Sequence, residues 1–481
     1  MNTRPNRSPA LIVLCVGFFM IVLDATVVNV ALPSIQDDLG FSQSSLAWVV
    51  NAYLIAFGGL LLLAGRLGDL IGRRRVLLIG LGVFTVASLA CGLAQSQEVL
   101  ITARFLQGVG GAMASAVVLG MIVTLYPDPR EQAKAIGVYG FVASGGGSVG
   151  LLAGGLLTEA INWHWIFFVN VPIGLVTAVY ARRLIEDDEG LGLREGADAP
   201  GAVLVTASLM LGVYTIVGAA QHGWGSSRTL VLGAVSLALL ALFVARQARA
   251  ATPLLPLRIL RSRNLSGANV AQILAVAGMF GLFFLGALYL QRVLGYGAIE
   301  VGLAFLPATL VMGILSVRYS ARLSARFGAR ETLVPGLVAI GAGLALFARV
   351  PIDGAYVVDV LPAMVLLGAG AGAAFPTLMT LAMADTTPSD SGLASGLVNT
   401  AQQVGGALGL AVLATLSTSR TDSLLAGGVA EATALTDGYR LALVIGAALV
   451  AAGVVVALAV LRPAARADHG VPAGAPCPEA A

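Results

Sequence analysis

The sequence predicts an all-α polytopic membrane protein, and three observations carry that reading. Of its 481 residues 58% are hydrophobic and 11% charged, with a mean hydropathy of +0.90, whereas soluble domains carry about 25% charged residues. Apolar runs near the ~20 residues that a spanning helix needs recur fourteen times, at 10–32, 45–64, 76–94, 99–125, 135–157, 165–181, 201–219, 229–245, 265–288, 298–318, 332–349, 358–382, 392–416 and 441–461. Arginines then gather in alternate connections between the runs, as they do on the cytoplasmic side of membrane proteins.

That bias sets an expected orientation. With the N-terminus in the cytoplasm, only Arg228, Arg292, Arg349, Arg420 and Arg440 of the 28 basic residues fall outside, and Arg104 lies within a span. Both termini are therefore expected inside. Trp48, Trp163, Trp165 and Trp224 then share the outer interface, where amphipathic rings settle. The net charge of +3 reflects this topology and gives no reason to expect nucleic acid. Cys15, Cys91 and Cys477 are too scattered for a disulfide framework or metal cluster. With one lysine, Lys134, and no G-K-[ST] motif, no phosphate-cradling loop is present, so no cofactor or nucleotide is expected.

The first span carries Leu23-Asp24-Ala25-Thr26-Val27-Val28-Asn29-Val30-Ala31-Leu32-Pro33. Asp24 is ~14 residues from the inner end, or ~21 Å into a ~30 Å core. The second and third spans are joined by Gly65-Arg66-Leu67-Gly68-Asp69-Leu70-Ile71-Gly72-Arg73-Arg74-Arg75, which reads as a charged loop. Its glycines permit a tight path, and Asp69 can pair with an arginine or cap a helix. The fourth span opens Leu100-Ile101-Thr102-Ala103-Arg104-Phe105-Leu106-Gln107-Gly108-Val109-Gly110-Gly111, placing Arg104 in the outer half of the core. An intramembrane acid and base usually mark an ion or proton path. In the fifth span Gly146, Gly150 and Gly154, followed by Gly155, make a smooth face for close helix approach. Bulk there is expected to hold the two halves of the chain apart.

These stretches resemble the motifs of the major facilitator superfamily. The loop is similar to G-x-L-a-D-r-x-G-r-r, the first span to l-D-x-T-v-v-n-v-A-L-P of the fourteen-span drug:proton antiporter branch, and the fourth to l-x-x-R-x-x-Q-G-x-g-g-A. The fifth resembles the antiporter motif g-x-x-x-G-P-x-x-G-G, with Leu151 at the proline position. The resemblance implies a major facilitator fold and a charge relay of Asp69 with Arg66, Arg73 and Arg74 at an inner gate, set by Gly65, Gly68 and Gly72. It also links Arg104 to proton transfer and brings the first and fourth helices to a central cavity, where Asp24 and Arg104 can meet.

Beyond the sixth span, the acidic run Glu186-Asp187-Asp188-Glu189 reads as a solvated connector. The second part of the chain repeats the first: Ala321 to Leu333 aligns with Gly65 to Leu77, and Gly396, Gly405, Gly406 and Gly409 with Gly137, Gly146, Gly147 and Gly150. Asp69 and Arg104 become Ala325 and Met364, so proton handling belongs to the first half. The expected divisions are a six-helix half at 1–184, an inserted two-helix segment at 185–264, a second six-helix half at 265–463 and a tail at 464–481. Asn29, Gln107, Gln272, Tyr289, Asn399 and Gln403 are candidate substrate contacts.

Together these features predict a monomeric antiporter in the cell membrane, driven by the proton gradient and exporting hydrophobic or amphipathic small molecules by alternating access. A proton-linked importer is the runner-up, and a non-transporting receptor follows. Deep ionisable groups limited to Asp24 and Arg104 are too few for an intramembrane enzyme.

Overall fold

The structure is a computed structural model that describes residues 7–126, 128–188, 190, 192, 198–384 and 391–462. Glu189 and the expected tail at 464–481 lie outside these residues. No strand occurs among the described residues, and thirteen of their helices are long and apolar enough to cross a bilayer. A further helix of 32 residues, Pro129–Ala160, stands fifth in order.

The first six spans are α1 (Arg7–Leu39), α2 (Gln43–Ile71), α3 (Arg73–Gly92), α4 (Gln97–Leu125), α5 (Pro129–Ala160) and the pair α6 (Trp165–Phe168) and α7 (Asn170–Leu184). Then come α8 (Ala199–His222) and α9 (Ser227–Gln247). The last six spans are α10 (Arg263–Arg292), α11 (Ala298–Ile314), α13 (Ala329–Phe347), α14 (Leu361–Met383), α15 (Ser391–Ala426) and α16 (Glu431–Ala459). A π-helical turn, Leu315–Tyr319, carries α11 into the short α12 (Ser320–Phe327). Serine caps begin several of these helices: Ser42, Ser96, Ser226 and Ser262 accept from the backbone N–H three residues on. Each satisfies a donor that the first turn leaves without a partner.

The charged stretch at 65–75 is not a loop, which corrects the sequence reading. α2 runs unbroken to Ile71 and α3 begins at Arg73. Leu67, Leu70 and Ile71 keep the helix going, and the reversal is made by Gly72 alone at φ +96°, a conformation a side chain would strain. Gly328, at φ +107°, makes the corresponding corner between α12 and α13. The repeat seen in the sequence is thus a repeat of backbone geometry.

Packing follows the same symmetry. Within the first six spans α5 lies on α1, and within the last six α15 lies on α10. A Cβ on Gly146 would press on Val22, one on Gly150 would sit 2.0 Å from Thr26 Oγ1, and one on Gly154 would sit 2.7 Å from the Val27 carbonyl. In the counterpart, Gly405 and Gly409 meet the backbone of Ile273 and Ala277. Gly146, Gly150 and Gly154 therefore seat α5 on α1 inside one group, so bulk at Gly150 or Gly154 would strike α1 rather than hold the two halves apart, contrary to expectation. Two seams join the groups, α2 on α15 and α5 on α11. Gly155 and Gly302 bring the second seam close, since their Cβ atoms would lie 2.6 Å from the Ala298 carbonyl and 2.7 Å from the Leu151 carbonyl. α8 packs into the first seam, touching α2 and α15, while α9 leans on α8.

At the end of the bundle holding the tryptophans, polar bonds tie the two groups together. Arg292 pairs with Asp37, Gln291 Nε2 donates to the Val30 carbonyl at 2.9 Å, and the Ile299 N–H donates to Glu159 Oε2 at 3.1 Å. Trp163 Nε1 donates to Asp38 at 2.9 Å, fixing the turn after α5.

Candidate functional site

Asp24 and Arg104 are brought together in the middle of the first group. Arg104 Nη1 donates to Asp24 Oδ2 at 2.6 Å, and both residues are fully buried. The other carboxylate oxygen, Oδ1, accepts from Gln107 Nε2 at 2.7 Å and from Asn170 Nδ2 at 2.8 Å. Arg104 Nη1 also reaches Gln107 Oε1 at 2.6 Å, and its Nε reaches the Val49 carbonyl at 2.9 Å. Gln107 Nε2 donates in turn to Ser88 Oγ at 2.8 Å. The guanidinium carbon stands 4.5 Å from the centre of the Tyr53 ring and 5.7 Å from that of Phe167, within cation–π reach.

Five helices thus supply one network: Asp24 from α1, Val49 and Tyr53 from α2, Ser88 from α3, Arg104 and Gln107 from α4, and Asn170 from α7. Arg104 and Gln107 share a helix face because they are three residues apart. A buried charge is tolerable when it is paired and hydrogen-bonded, and the Asp24 carboxylate meets both conditions. Arg104 Nη2, both amide atoms of Asn51, the Tyr53 hydroxyl and Asn170 Oδ1 nevertheless find no hydrogen-bond partner. Chemically, the arrangement holds a carboxylate shielded from solvent against a guanidinium, with both carboxylate oxygens bonded.

Asn170, Ser88 and Tyr53 were not foreseen. A single polar residue in a span has no spacing signal, although an asparagine opening the span after Trp163-His164-Trp165 is a polar group with few alternatives to bonding inward. Gln107, read as a substrate contact, instead serves the carboxylate. Tyr289 departs further: its hydroxyl donates to the Pro351 carbonyl at 2.6 Å and its ring stands edge-on to Phe347, so it braces the last group. Asn29 donates to the Ala25 and Thr26 carbonyls of its own helix, both at 3.3 Å. Gln272 is buried on α10 with Oε1 lacking a hydrogen-bond partner, Asn399 is exposed on α15, and Gln403 lies where α15 crosses Gly58 of α2.

At the α2–α3 corner, Arg73 Nη2 meets Asp69 Oδ1 at 3.2 Å, and its Nη1 reaches the Gly120 carbonyl and Thr124 Oγ1 of α4 at 3.3 and 3.0 Å. Arg74 Nη2 donates to the Arg182 carbonyl at 2.5 Å. Asp69 does not cap α3. That task falls to Asp188, whose two oxygens accept from the N–H groups of Arg73 and Arg74 at 2.8 and 3.1 Å. Asp187 stands 3.8 Å from Arg74 and 3.9 Å from Arg75. The acidic run read as a solvated connector is therefore strapped to the corner, and Gly192 N–H, donating to the Leu70 carbonyl at 2.9 Å, extends the strap.

Comparison with known proteins agrees with this architecture. The profile of the Major Facilitator Superfamily matches residues 14–410. The chain is 42% identical over 439 residues to the puromycin resistance protein pur8 of Streptomyces alboniger, covering 90% of this chain and 86% of that one. It is 40% identical over 419 residues to the cephamycin export protein CmcT of Amycolatopsis lactamdurans, covering 86% of each. Among solved structures, a bacterial homologue of the human lysosomal transporter Spinster superposes with a TM-score of 0.69 at 16% identity, over 95% of this chain and 97% of that one. The chain belongs to the Major Facilitator Superfamily, and it is a membrane transporter and not an enzyme.

Proposed function

We propose that this protein is a proton-coupled antiporter that exports hydrophobic or amphipathic small molecules, antibiotics among them, across the cell membrane. The observation that carries the reading is the buried Asp24–Arg104 pair with its Gln107 and Asn170 donors, set in a transporter whose relatives are named for resistance and export. Both termini face the cytoplasm, in keeping with the arginine distribution. The functional divisions are two six-helix halves, 1–184 and 265–463, with 185–264 inserted.

In this account the halves rock about the two seams. Asp24 takes up a proton from the outside when Arg104 is drawn off, and releases it inward when the ion pair re-forms. Substrate enters between the halves, where Asn29, Gln272, Asn399 and Gln403 offer polar contacts along an otherwise apolar path. Asp69, Arg73 and Arg74, set by Gly65, Arg66, Gly68 and Gly72, stabilise the closed inner end, and Gly146, Gly150, Gly154 and Gly155 keep α5 tightly seated. No cofactor is needed, because the proton gradient drives the cycle, and one copy of the chain suffices. In a pump-deficient host, expression should raise the inhibitory concentration of several chemically unrelated antibiotics, and collapse of the proton gradient should abolish the gain. Unchanged susceptibility to every compound in a well-expressed strain would count against export.

A further inference from the structure

The inserted pair holds a cation that no acid meets among the described residues. Arg228, at the start of α9, donates from Nη2 to the Tyr214 hydroxyl at 2.7 Å and from Nη1 to His222 Nε2 at 2.8 Å. His222 Nδ1 lies 3.0 Å from the Gly218 carbonyl, so the ring is bonded on both nitrogens. Tyr214, Thr215, Gly218, His222, Arg228, Thr229 and Leu232 line a recess between α8 and α9 that includes no acid. In the sequence there is no Asp or Glu between Asp198 and Glu300. The guanidinium is thus held by a hydroxyl and an imidazole, with no acid paired to it among the described residues.

The surroundings define what would neutralise it. The recess sits at the tryptophan end, with Trp48 6.5 Å from the Tyr214 ring and Trp224 exposed beside it, which is the depth of lipid head groups. On the side of α9 that carries Arg228, Val231 and Val235 are exposed, an apolar strip one and two turns further along the helix. An anionic group above an acyl chain matches both features, and a guanidinium binds phosphate oxygens in its fixed fork.

We propose that the recess between α8 and α9 is a binding site for an anionic phospholipid, its phosphate held by Arg228 and the Tyr214 hydroxyl, and its chain along α9. Because α8 lies in the α2–α15 seam, with a Cβ on Gly59 placed 2.5 Å from Thr206 Oγ1 and Thr415 Oγ1 donating to the Ile216 carbonyl at 3.3 Å, the bound lipid steadies the element that bridges the two groups.

The test uses the full-length protein in a neutral detergent, with phosphatidylglycerol, phosphatidylcholine or inorganic phosphate added, read by native mass spectrometry and thermal unfolding. Phosphatidylglycerol should remain bound and raise the unfolding temperature of the wild type by a few degrees, with phosphatidylcholine and inorganic phosphate giving smaller effects. Arg228→Gln should lose most of that shift and Arg228→Lys part of it, while Arg349→Gln, a charge removed from the same end, should keep it. An equal response of Arg228→Gln and wild type to phosphatidylglycerol would overturn the site. An equal shift with inorganic phosphate would overturn the lipid as its occupant.

Discussion

Asp24 is bonded on both oxygens by side chains from two other helices, so the effect of changing it depends on what it leaves behind. Asp24→Asn removes the charge that neutralises Arg104, and breaking a buried pair costs about 3–5 kcal/mol. Gradient-driven export should fall ~100-fold or more, since ~1.4 kcal/mol is tenfold, while some downhill exchange survives. Arg104→Lys is not conservative here: Nη1 holds Asp24 and Gln107 while Nε reaches the Val49 carbonyl, and the single nitrogen of lysine cannot do both. It should lower the transport rate and shift its pH profile, measured as antibiotic efflux between pH 6 and 8. The pair itself was legible in the sequence, because an acid and an arginine inside apolar runs are costly unless used. Their supporting donors were not, since Ser88 and Asn170 are ordinary polar residues until the fold places them.

The helices carry the next level of consequence. Gly150 and Gly155 belong to one motif, yet a side chain on the first would strike Thr26 of α1 and one on the second the Ala298 carbonyl of α11. Gly150→Leu should therefore impair assembly of the first group and lower the amount of protein in the membrane. Gly155→Leu should insert at normal levels but transport poorly, because it wedges the α5–α11 seam. Quantifying membrane protein and efflux for both variants separates the two effects. At the α2–α3 corner, Asp188→Ala should cost about 1 kcal/mol by uncapping α3 and should slow export, with Asp188→Asn restoring part of it. The spans and their repeat were readable from hydrophobic length and glycine spacing. The corner was misread, because charge and glycine together look like a loop even where Leu67, Leu70 and Ile71 still pack as helix, and the strap from Asp187 and Asp188 is a contact between residues far apart in sequence.

For the whole molecule, alternating access requires that the tryptophan end open. Arg292–Asp37, Gln291 to the Val30 carbonyl and Ile299 to Glu159 are the contacts that must break there. Joining Asp37→Cys to Arg292→Cys by oxidation should arrest export, and reduction should restore it. No sequence pattern announced this closure, because each partner is an ordinary end-of-helix residue and only the packing of α1, α5, α10 and α11 brings them together. The central claim is that one buried acid couples this movement to protons. It is tested most directly in everted membrane vesicles carrying a preformed proton gradient, by measuring proton movement when an exported antibiotic is added. Wild type should release protons from the vesicle lumen as it accumulates the drug, and Asp24→Asn, present at equal amounts, should do neither. Wild-type proton release and uphill accumulation by Asp24→Asn would contradict the account.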